Sequence, residues 1–447
     1  MTLLEDPAEL DDVPIVDDVG ATPRRGAMRP RLHRFMTARR GVFVKVHRWL
    51  SFVVLIWIVV ESLTGSAIVF AGEIDRFVNS EQFDATPGDV GMPAAAKAAR
   101  TARPNDLVRL IAAPGSDSGH GMYWVYTVGP TGDDHVVLVD PGSGSVTSSD
   151  HHPPLVIRWM EEIHFRLNST SVLGFDPLKV MGWMAVAWLV LLVAGFYAWY
   201  WPGVKRWAQV MRVRRQRGAF TFHLDLHKAV GIVAFVPLSL VVITGINFAF
   251  PNAVRGTWDA ATLGQYEQSD VTVPLSHRSP GRQSITSQQA IEAVRAVDPS
   301  VSIQYVTGPG GSPVGVFTID AKVDATFLGA LGGQRTVEFA VDQYTGGIVA
   351  IEDPADKGVA SRAYDDWAYE MHIGTFAGTT TKWIWVLLGL SPLVLGVTGT
   401  RMWLIRRGKR NRRGASRSAA TGDAALDATF HTATSTTTVG HADQEHS

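Results

Sequence analysis

The sequence predicts a membrane α-helical fold with α+β outer domains, in which four transmembrane helices and two helix-on-antiparallel-sheet domains form an internal duplication. Three observations predict it. Four apolar stretches have bilayer-spanning length, basic residues gather at alternate ends of them, and one succession of segments occurs twice.

A helix crosses a bilayer with about 20 apolar residues. Four stretches satisfy this: 49–71 (WLSFVVLIWIVVESLTGSAIVFA), 180–201 (VMGWMAVAWLVLLVAGFYAWYW), 229–250 (AVGIVAFVPLSLVVITGINFAF) and 383–405 (WIWVLLGLSPLVLGVTGTRMWLI). The 447-residue chain has a net charge of −1, so orientation depends on where its charges lie. Segment 24–48 holds 9 Lys and Arg, 202–228 holds 7 and 401–417 holds 8, together 24 of the 41 in the chain. The long segments 72–179 and 251–382 share the rest. Positive charge stays on the cytoplasmic side. Both termini and the middle loop are therefore expected inside, and the long segments outside. Trp183, Trp199, Trp201, Trp383, Trp385 and Trp403 stand near span ends, as an interfacial aromatic belt would. A charged tail before a full-length first span argues against a cleaved signal peptide. No nucleic-acid partner is expected.

The chain divides accordingly. A tail (1–40) leads to span one (41–71), a first outer domain (72–154), an interfacial helix with span two (155–201) and a basic loop (202–228). Span three (229–250), a second outer domain (251–361), an interfacial helix with span four (362–405) and a tail (406–447) follow. Both tails lack apolar periodicity and are expected to be disordered, so His431, His441 and His446 receive no role. The chain has no cysteine. Disulfides, cysteine-ligated iron–sulfur clusters and covalent c-type haem attachment are excluded.

The two halves match segment by segment. Span one follows VHRWLSF and reaches SLTGSAIVF; span three follows LHKAVGI and reaches VITGINFAF. His47 to Gly65 is 18 residues, as is His227 to Gly245. Each span leads to a helix-like stretch, PAAAKAARTARP or TSQQAIEAVRAVDP. Strand-like runs come next: GMYWVYTV with HVVLVDPGSGSV, then VGVFTID with RTVEFAVDQYTGGIV. Both domains close on a turn, Asp140-Pro-Gly-Ser-Gly and Asp342-Gln-Tyr-Thr-Gly, where Asp and Gly supply the bend. A polar-aromatic helix with one histidine follows each: IRWMEEIHFRL (His164) and YDDWAYEMHIG (His372).

On these residues the chain resembles the PepSY-associated transmembrane proteins, a family that includes iron-regulated inner-membrane reductases of ferric siderophores. The resemblance covers roughly 40–407. It rests on VHRWLSF…TG, EEIHFRL, LDLHKAVG…TG, EMHIG and the two Asp-x-x-(Ser/Thr)-Gly endings, each weak alone and fairly specific as a set. It implies two PepSY-like outer domains, a bacterial inner-membrane location and two non-covalent b-type haems without a flavin domain. No Gly-rich nucleotide fingerprint contradicts this.

Four histidines then become candidate haem ligands. His47 and His227 start spans one and three on the inner side; His164 and His372 precede spans two and four on the outer side. Six-coordinate haem takes two axial histidines from opposite directions. The simplest assignment is His47 with His227 on an inner haem and His164 with His372 on an outer one. The competing reading is that these are ordinary polar residues at span ends, which snorkel or meet headgroups. His223, one helical turn before His227, is an alternative ligand or a propionate partner. Arg48 and Lys228 fit both propionate neutralisation and the positive-inside pattern. His151 and His152 precede a Pro-Pro turn and read as a solvated loop, with contact to metal or substrate as the alternative; His120, His135 and His277 have no assignment.

Glu61 lies well inside span one, where a carboxyl group is costly and points to function. It fits a proton carrier, a partner to a polar group near a cofactor, or a hydrogen-bonded core residue; its counterpart is Val241. Gly65, Gly195, Gly245 and Gly399 recur in Thr-Gly or Ala-Gly steps and let helices or a flat ring approach closely. Pro237 and Pro392 are expected to bend their helices.

The function these features imply is an oxidoreductase passing electrons across the membrane to an outer acceptor. The resemblance makes that acceptor a ferric siderophore or another ferric chelate, released as Fe(II), with a quinol or a cytoplasmic flavoprotein as donor. The alternative is a non-catalytic, membrane-anchored PepSY regulator of an outer-face enzyme. A transporter of iron or siderophore is a third reading, weakened by the small number of spans.

Overall fold

A computed structural model describes residues 28–116, 119–200, 211–266, 274–324, 334–365, 368–376 and 378–437. The first half runs α1 (Met28–Ile68), α2 (Ala71–Val78), α3 (Met92–Ala102), β1 (Leu107–Ala112), β2 (Tyr123–Val128), β3 (Asp134–Val139), β4 (Val146–Ser148), α4 (Leu155–Arg166) and α5 (Pro177–Tyr200). The second runs α6 (Ala219–Ala249), α7 (Pro251–Ala261), α8 (Ser287–Val297), β5 (Ser302–Thr307), β6 (Val316–Asp324), β7 (Gln334–Asp342), β8 (Ile348–Glu352), α9 (Val359–Asp365), α10 (Ala368–Ile373), α11 (Thr379–Gly389) and α12 (Ser391–Thr437). The order repeats, with α9 and α10 together answering to α4.

Four helical stretches are long and apolar enough to cross a membrane: Arg39–Ile68, Pro177–Trp199, Ala219–Ala249 and Thr379–Arg412. The protein is a multi-pass membrane protein. Its spanning helices extend beyond the apolar runs. Helix α1 begins at Met28 and α12 ends at Thr437, so residues 28–40 and 406–437 are helical where disorder was expected. Once a span has met the cost of helix nucleation, each added residue needs only propagation, and Arg- and Ala-rich flanks favour it. Residues 1–27 and 438–447, with His441 and His446, lie outside the described residues. Helix α6 starts ten residues before its apolar run, after Gly218 at φ +83°, so His223 and His227 are both helical. Residues 201–210 of the basic loop, Trp201 included, lie outside the described residues. Helix α6 is continuous across Pro237. At Pro392 the helix breaks where a bend was expected: Leu390 separates α11 from α12, and proline then sits in the first turn of α12, where its missing N–H is harmless.

The eight strands form one antiparallel sheet in the order β4-β3-β2-β1-β5-β6-β7-β8. Each half is a meander, and the two join where β1 pairs with β5. Two separate outer domains were expected; they share a sheet and a core. At the seam Ile111 faces Val306, both buried. The seam extends through Ala113 N–H to the Gln304 carbonyl (2.8 Å) and Gly308 N–H to the Arg109 carbonyl (2.9 Å). Neither β1 nor β5 was expected, because Arg109 and Gln304 interrupt runs of six. Helices α3 and α8 cover the sheet. Ala95, Ala96 and Ala99 of α3 and Ala290, Ile291 and Val294 of α8 enter the same core as Val125, Val137, Ile319 and Val341. Small side chains on α3 let helix and sheet approach closely, and each buried Val or Ile contributes about 1.5–3 kcal/mol. Thr286 and Gln289 form a reciprocal cap at the start of α8, which satisfies two otherwise orphaned N–H groups.

The duplicated turns are alike in detail. Asp140 accepts from Thr86 N–H (2.6 Å) and Ser143 N–H (2.8 Å). Asp342 accepts from His277, Tyr344 and Thr345 N–H groups, each at 2.8 Å. His151 is not on a solvated loop. It is 1% exposed; its Nε2 lies 2.8 Å from Asp75 Oδ2 and its Nδ1 2.8 Å from Gln82 Oε1. These contacts tie the segment between β4 and α4 back to α2 and the 3-10 turn that follows it. His152 is exposed beside Asp150.

Candidate functional site

Span one carries His47 near its basic end and Gly65 near the sheet. At 1.5 Å per residue those 18 positions are about 27 Å apart. At both levels the halves bring histidines together. The rings of His47 and His227 face one another with centres 6.2 Å apart, at 85°. Those of His164 and His372 lie 6.4 Å apart, at 53°. Each pair takes one ring from each half.

Four glycines make room for these rings. A Cβ on Gly195 would stand 2.8 Å from His47 Cε1, and one on Gly65 would stand 2.7 Å from His164 Cε1. At Gly245 the nearest atom is His372 Cε1 (3.5 Å), and at Gly399 it is His227 Cε1 (3.7 Å). At Gly65 and Gly195 the rings therefore lie on backbone that a side chain would obstruct, while at Gly245 and Gly399 they rest at ordinary contact distance. His47 leans from α1 onto α5, and His227 from α6 onto α12. His164 leans from α4 onto α1, and His372 from α10 onto α6.

The residue before each glycine explains the Thr-Gly step. Thr398 Oγ lies 2.9 Å from His227 Nδ1, Thr244 Oγ 2.9 Å from His372 Nδ1, and Thr64 Oγ 3.3 Å from His164 Nδ1. Each threonine donates back to carbonyls one turn earlier, so its oxygen accepts from the imidazole. Ala194 stands at the fourth step. There the Leu191 carbonyl, 3.0 Å from His47 Nδ1, serves instead. Nδ1 of each ring is thus engaged as donor, which assigns the tautomer and leaves Nε2 available to a ligand. The threonines carry no separate signal in the sequence, since a helical threonine ordinarily bonds its own backbone.

Two further groups refine the site. Glu61, 9% exposed, places Oε1 3.2 Å from His164 Nδ1. His223 packs edge-on against Phe222, and its Nδ1 is buried without a partner among the described residues. At the basic end Asp225 accepts two guanidinium bonds from Arg214 (2.8 and 2.9 Å) and one from its backbone N–H (3.2 Å), fixing the loop beside the helix that carries His227. Arg48 is exposed and Lys228 partly buried.

At the sheet end a cavity of about 1920 Å³ opens between the bundle and the sheet, with Gly65, His164, Gly245 and His372 among its lining. His120, unassigned from sequence, reaches it from the β1–β2 loop, its ring lying over Gly72. Burial pushes His120 below its ordinary pKa. Between the two histidine levels Trp57 and Trp188 pack edge-on at 5.9 Å.

No curated protein matches the chain. A family model described as "PepSY-associated TM region" matches residues 44–406, which include most of the first and fourth spans, all of the second and third, the whole sheet and the four facing histidines. The chain belongs to the family of PepSY-associated TM regions.

Proposed function

We propose that this protein is an inner-membrane reductase that carries electrons across the bilayer through two haem b groups to a ferric chelate outside, releasing Fe(II). The observation that carries this reading is the pair of imidazole clamps. Two imidazoles bound to one iron from opposite sides, at about 2 Å per metal–nitrogen bond, hold their ring centres roughly 6 Å apart. The facing rings lie at 6.2 and 6.4 Å. Among the described residues no three His, Asp or Glu side chains gather to hold a bare ion, so a metal gripped by these pairs brings its remaining ligands with it, as a porphyrin does.

Bound there, the haems supply one-electron steps. His47 and His227 would hold the iron at the basic end, and His164 and His372 the iron at the sheet end. Gly65, Gly195, Gly245 and Gly399 admit the ligand rings, and the threonine hydroxyls with the Leu191 carbonyl orient them. Trp57 and Trp188 exclude water from the gap between the levels. The basic end is cytoplasmic by the positive-inside rule, so both termini are inside and the sheet outside. There the cavity is larger than the roughly 300–1,000 Å³ of an ordinary small-molecule site. A ferric siderophore fits the chemistry: hard oxygen ligands hold Fe(III) far more tightly than Fe(II), and one electron frees the metal. The donor is a quinol or a cytoplasmic flavoprotein.

The test is spectroscopic. Protein purified from haem-replete cells should be red, with b-type bands from two centres. His47→Ala or His227→Ala should remove one centre, and His164→Ala or His372→Ala the other. Reduced protein mixed with a ferric hydroxamate should reoxidise as a ferrous chelator traps iron. Colourless protein would overturn the reading and favour the regulator.

A further inference from the structure

Arg362 lines the sheet-end cavity together with Gly245 and His372. It is partly buried on α9, and its Nε is shut off from solvent with no hydrogen-bond partner among the described residues. Two other cations of the same lining are occupied. Arg335 pairs with Asp353 (2.7 and 2.8 Å), and Lys382 pairs with Glu73 (2.6 Å). Ten residues before His164, where the first half would match Arg362, stands Pro154.

The backbone is held on both sides of this arginine. The Ala360 carbonyl accepts from Trp258 Nε1 (2.8 Å). Tyr364, whose hydroxyl donates to the Asn247 side chain, ties α9 to α6. Asn247 lies two residues beyond Gly245, against which His372 Cε1 rests. The guanidinium is therefore offered to the cavity from a fixed base beside the sheet-end histidines. Arginine keeps its charge at any working pH, and burying a cation unpaired is costly. Nε and the neighbouring Nη form one edge of a planar fork that matches the two oxygens of a carboxylate.

Resting on the haem assignment above, we propose that Arg362 is a carboxylate receptor in this cavity. Two molecules of that reading carry the group: the sheet-end haem, through its propionates, and a ferric chelate of the α-hydroxycarboxylate class. Either one supplies the acceptor that Nε lacks in the protein itself.

The two sources are separated by comparing the full-length haem protein with Arg362→Gln, which removes the charge, and Arg362→Lys, which keeps charge without the fork. If a propionate is the ligand, sheet-end haem should pass to apomyoglobin about tenfold or more faster in Arg362→Gln and less so in Arg362→Lys, with the basic-end rate unaltered. If a chelate is the ligand, haem loss should be unaltered at both ends. Gallium citrate, which is redox-inert, should then bind Arg362→Gln about tenfold or more weakly, while a gallium hydroxamate binds as it does to wild type. Unaltered haem loss with gallium citrate binding absent or unaltered overturns the inference while the di-haem function stands. An equal change at both haem centres in Arg362→Lys also overturns it, because a merely structural role would act on both. Wild-type protein without haem overturns that function, and gallium citrate binding then decides on Arg362 alone.

Discussion

Gly65 and His164 meet where a side chain cannot be: the histidine Cε1 occupies space 2.7 Å from the position of a Cβ on the glycine. Gly195 and His47 stand in the same relation at 2.8 Å. Carbon atoms do not approach so closely, so a methyl group at either place moves the ring, and overpacking of this kind costs about 1–3 kcal/mol. Gly65→Ala should reduce sheet-end haem occupancy, and Gly195→Ala basic-end occupancy, by roughly 5- to 100-fold. Gly245→Ala and Gly399→Ala, where the contacts are 3.5 and 3.7 Å, should change occupancy about twofold or less. Haem per polypeptide, resolved by centre, checks all four; equal losses would contradict the ring-over-glycine geometry.

Thr398 is 2% exposed and receives Nδ1–H of His227. Thr398→Val keeps the volume and removes the acceptor, leaving a buried N–H whose desolvation costs about 1–3 kcal/mol. Basic-end haem should be lost about fivefold or more readily to apomyoglobin, while the sheet-end rate is unaltered. Thr244→Val should affect the sheet end less, because the Val241 carbonyl remains within 3.1 Å of His372 Nδ1.

Asp342 is 1% exposed. Burial raises its pKa, but the N–H groups of Thr345, His277 and Tyr344 more than offset that and hold it at about 2. An unfolded aspartate titrates near 3.9. The folded value is the lower one, so its stabilisation is present above about pH 4 and fades as pH falls toward 2. Asp342→Asn should cost about 2 kcal/mol at pH 7, read as a lower unfolding midpoint in detergent. The gap to wild type should close progressively between pH 4 and pH 2. Asp140 is held below the usual carboxylate range by Ser143 and Thr86 against the same burial, so Asp140→Asn should behave alike. A gap that does not vary with pH would show that the carboxylate charge is immaterial.

The absence of cysteine makes topology directly measurable. Thr131 is exposed in the β2–β3 turn, and Gln216 is exposed in the basic loop. In intact spheroplasts an impermeant maleimide should label Thr131→Cys and spare Gln216→Cys until the membrane is opened. The reverse pattern would invert the direction of electron flow.

The spans, the four histidines and their four glycines were legible because each occurs twice in matching order, with His47–Gly65 and His227–Gly245 at the same 18-residue spacing, and repetition separates a built feature from an accidental one. The partners of those histidines were not. His164 and Glu61 meet across a helix packing contact, and nothing local to either announces it. The Thr-Gly steps showed glycine as a place of close approach, while the hydroxyl beside it read as ordinary helix chemistry. His151 was misread for a related reason. The Pro-Pro turn after it suggests solvent, but Asp75 and Gln82 come from far upstream to cover it. The seam escaped notice because pairing between β1 and β5 depends on how the halves dock, and Arg109 and Gln304 blur the alternation that marks a strand. The length of α12 was missed because the apolar pattern ends before helix propensity does.

That seam has a consequence for descent. One repeat alone owns a single imidazole for each end of the bundle and a sheet whose first strand is paired on one edge only. A half-length ancestor would have been complete only as a homodimer, with two copies zipped edge to edge and each lending the other the missing imidazole of each pair. Fusion of the two genes would then have freed one copy to acquire a carboxyl group that its twin did not share.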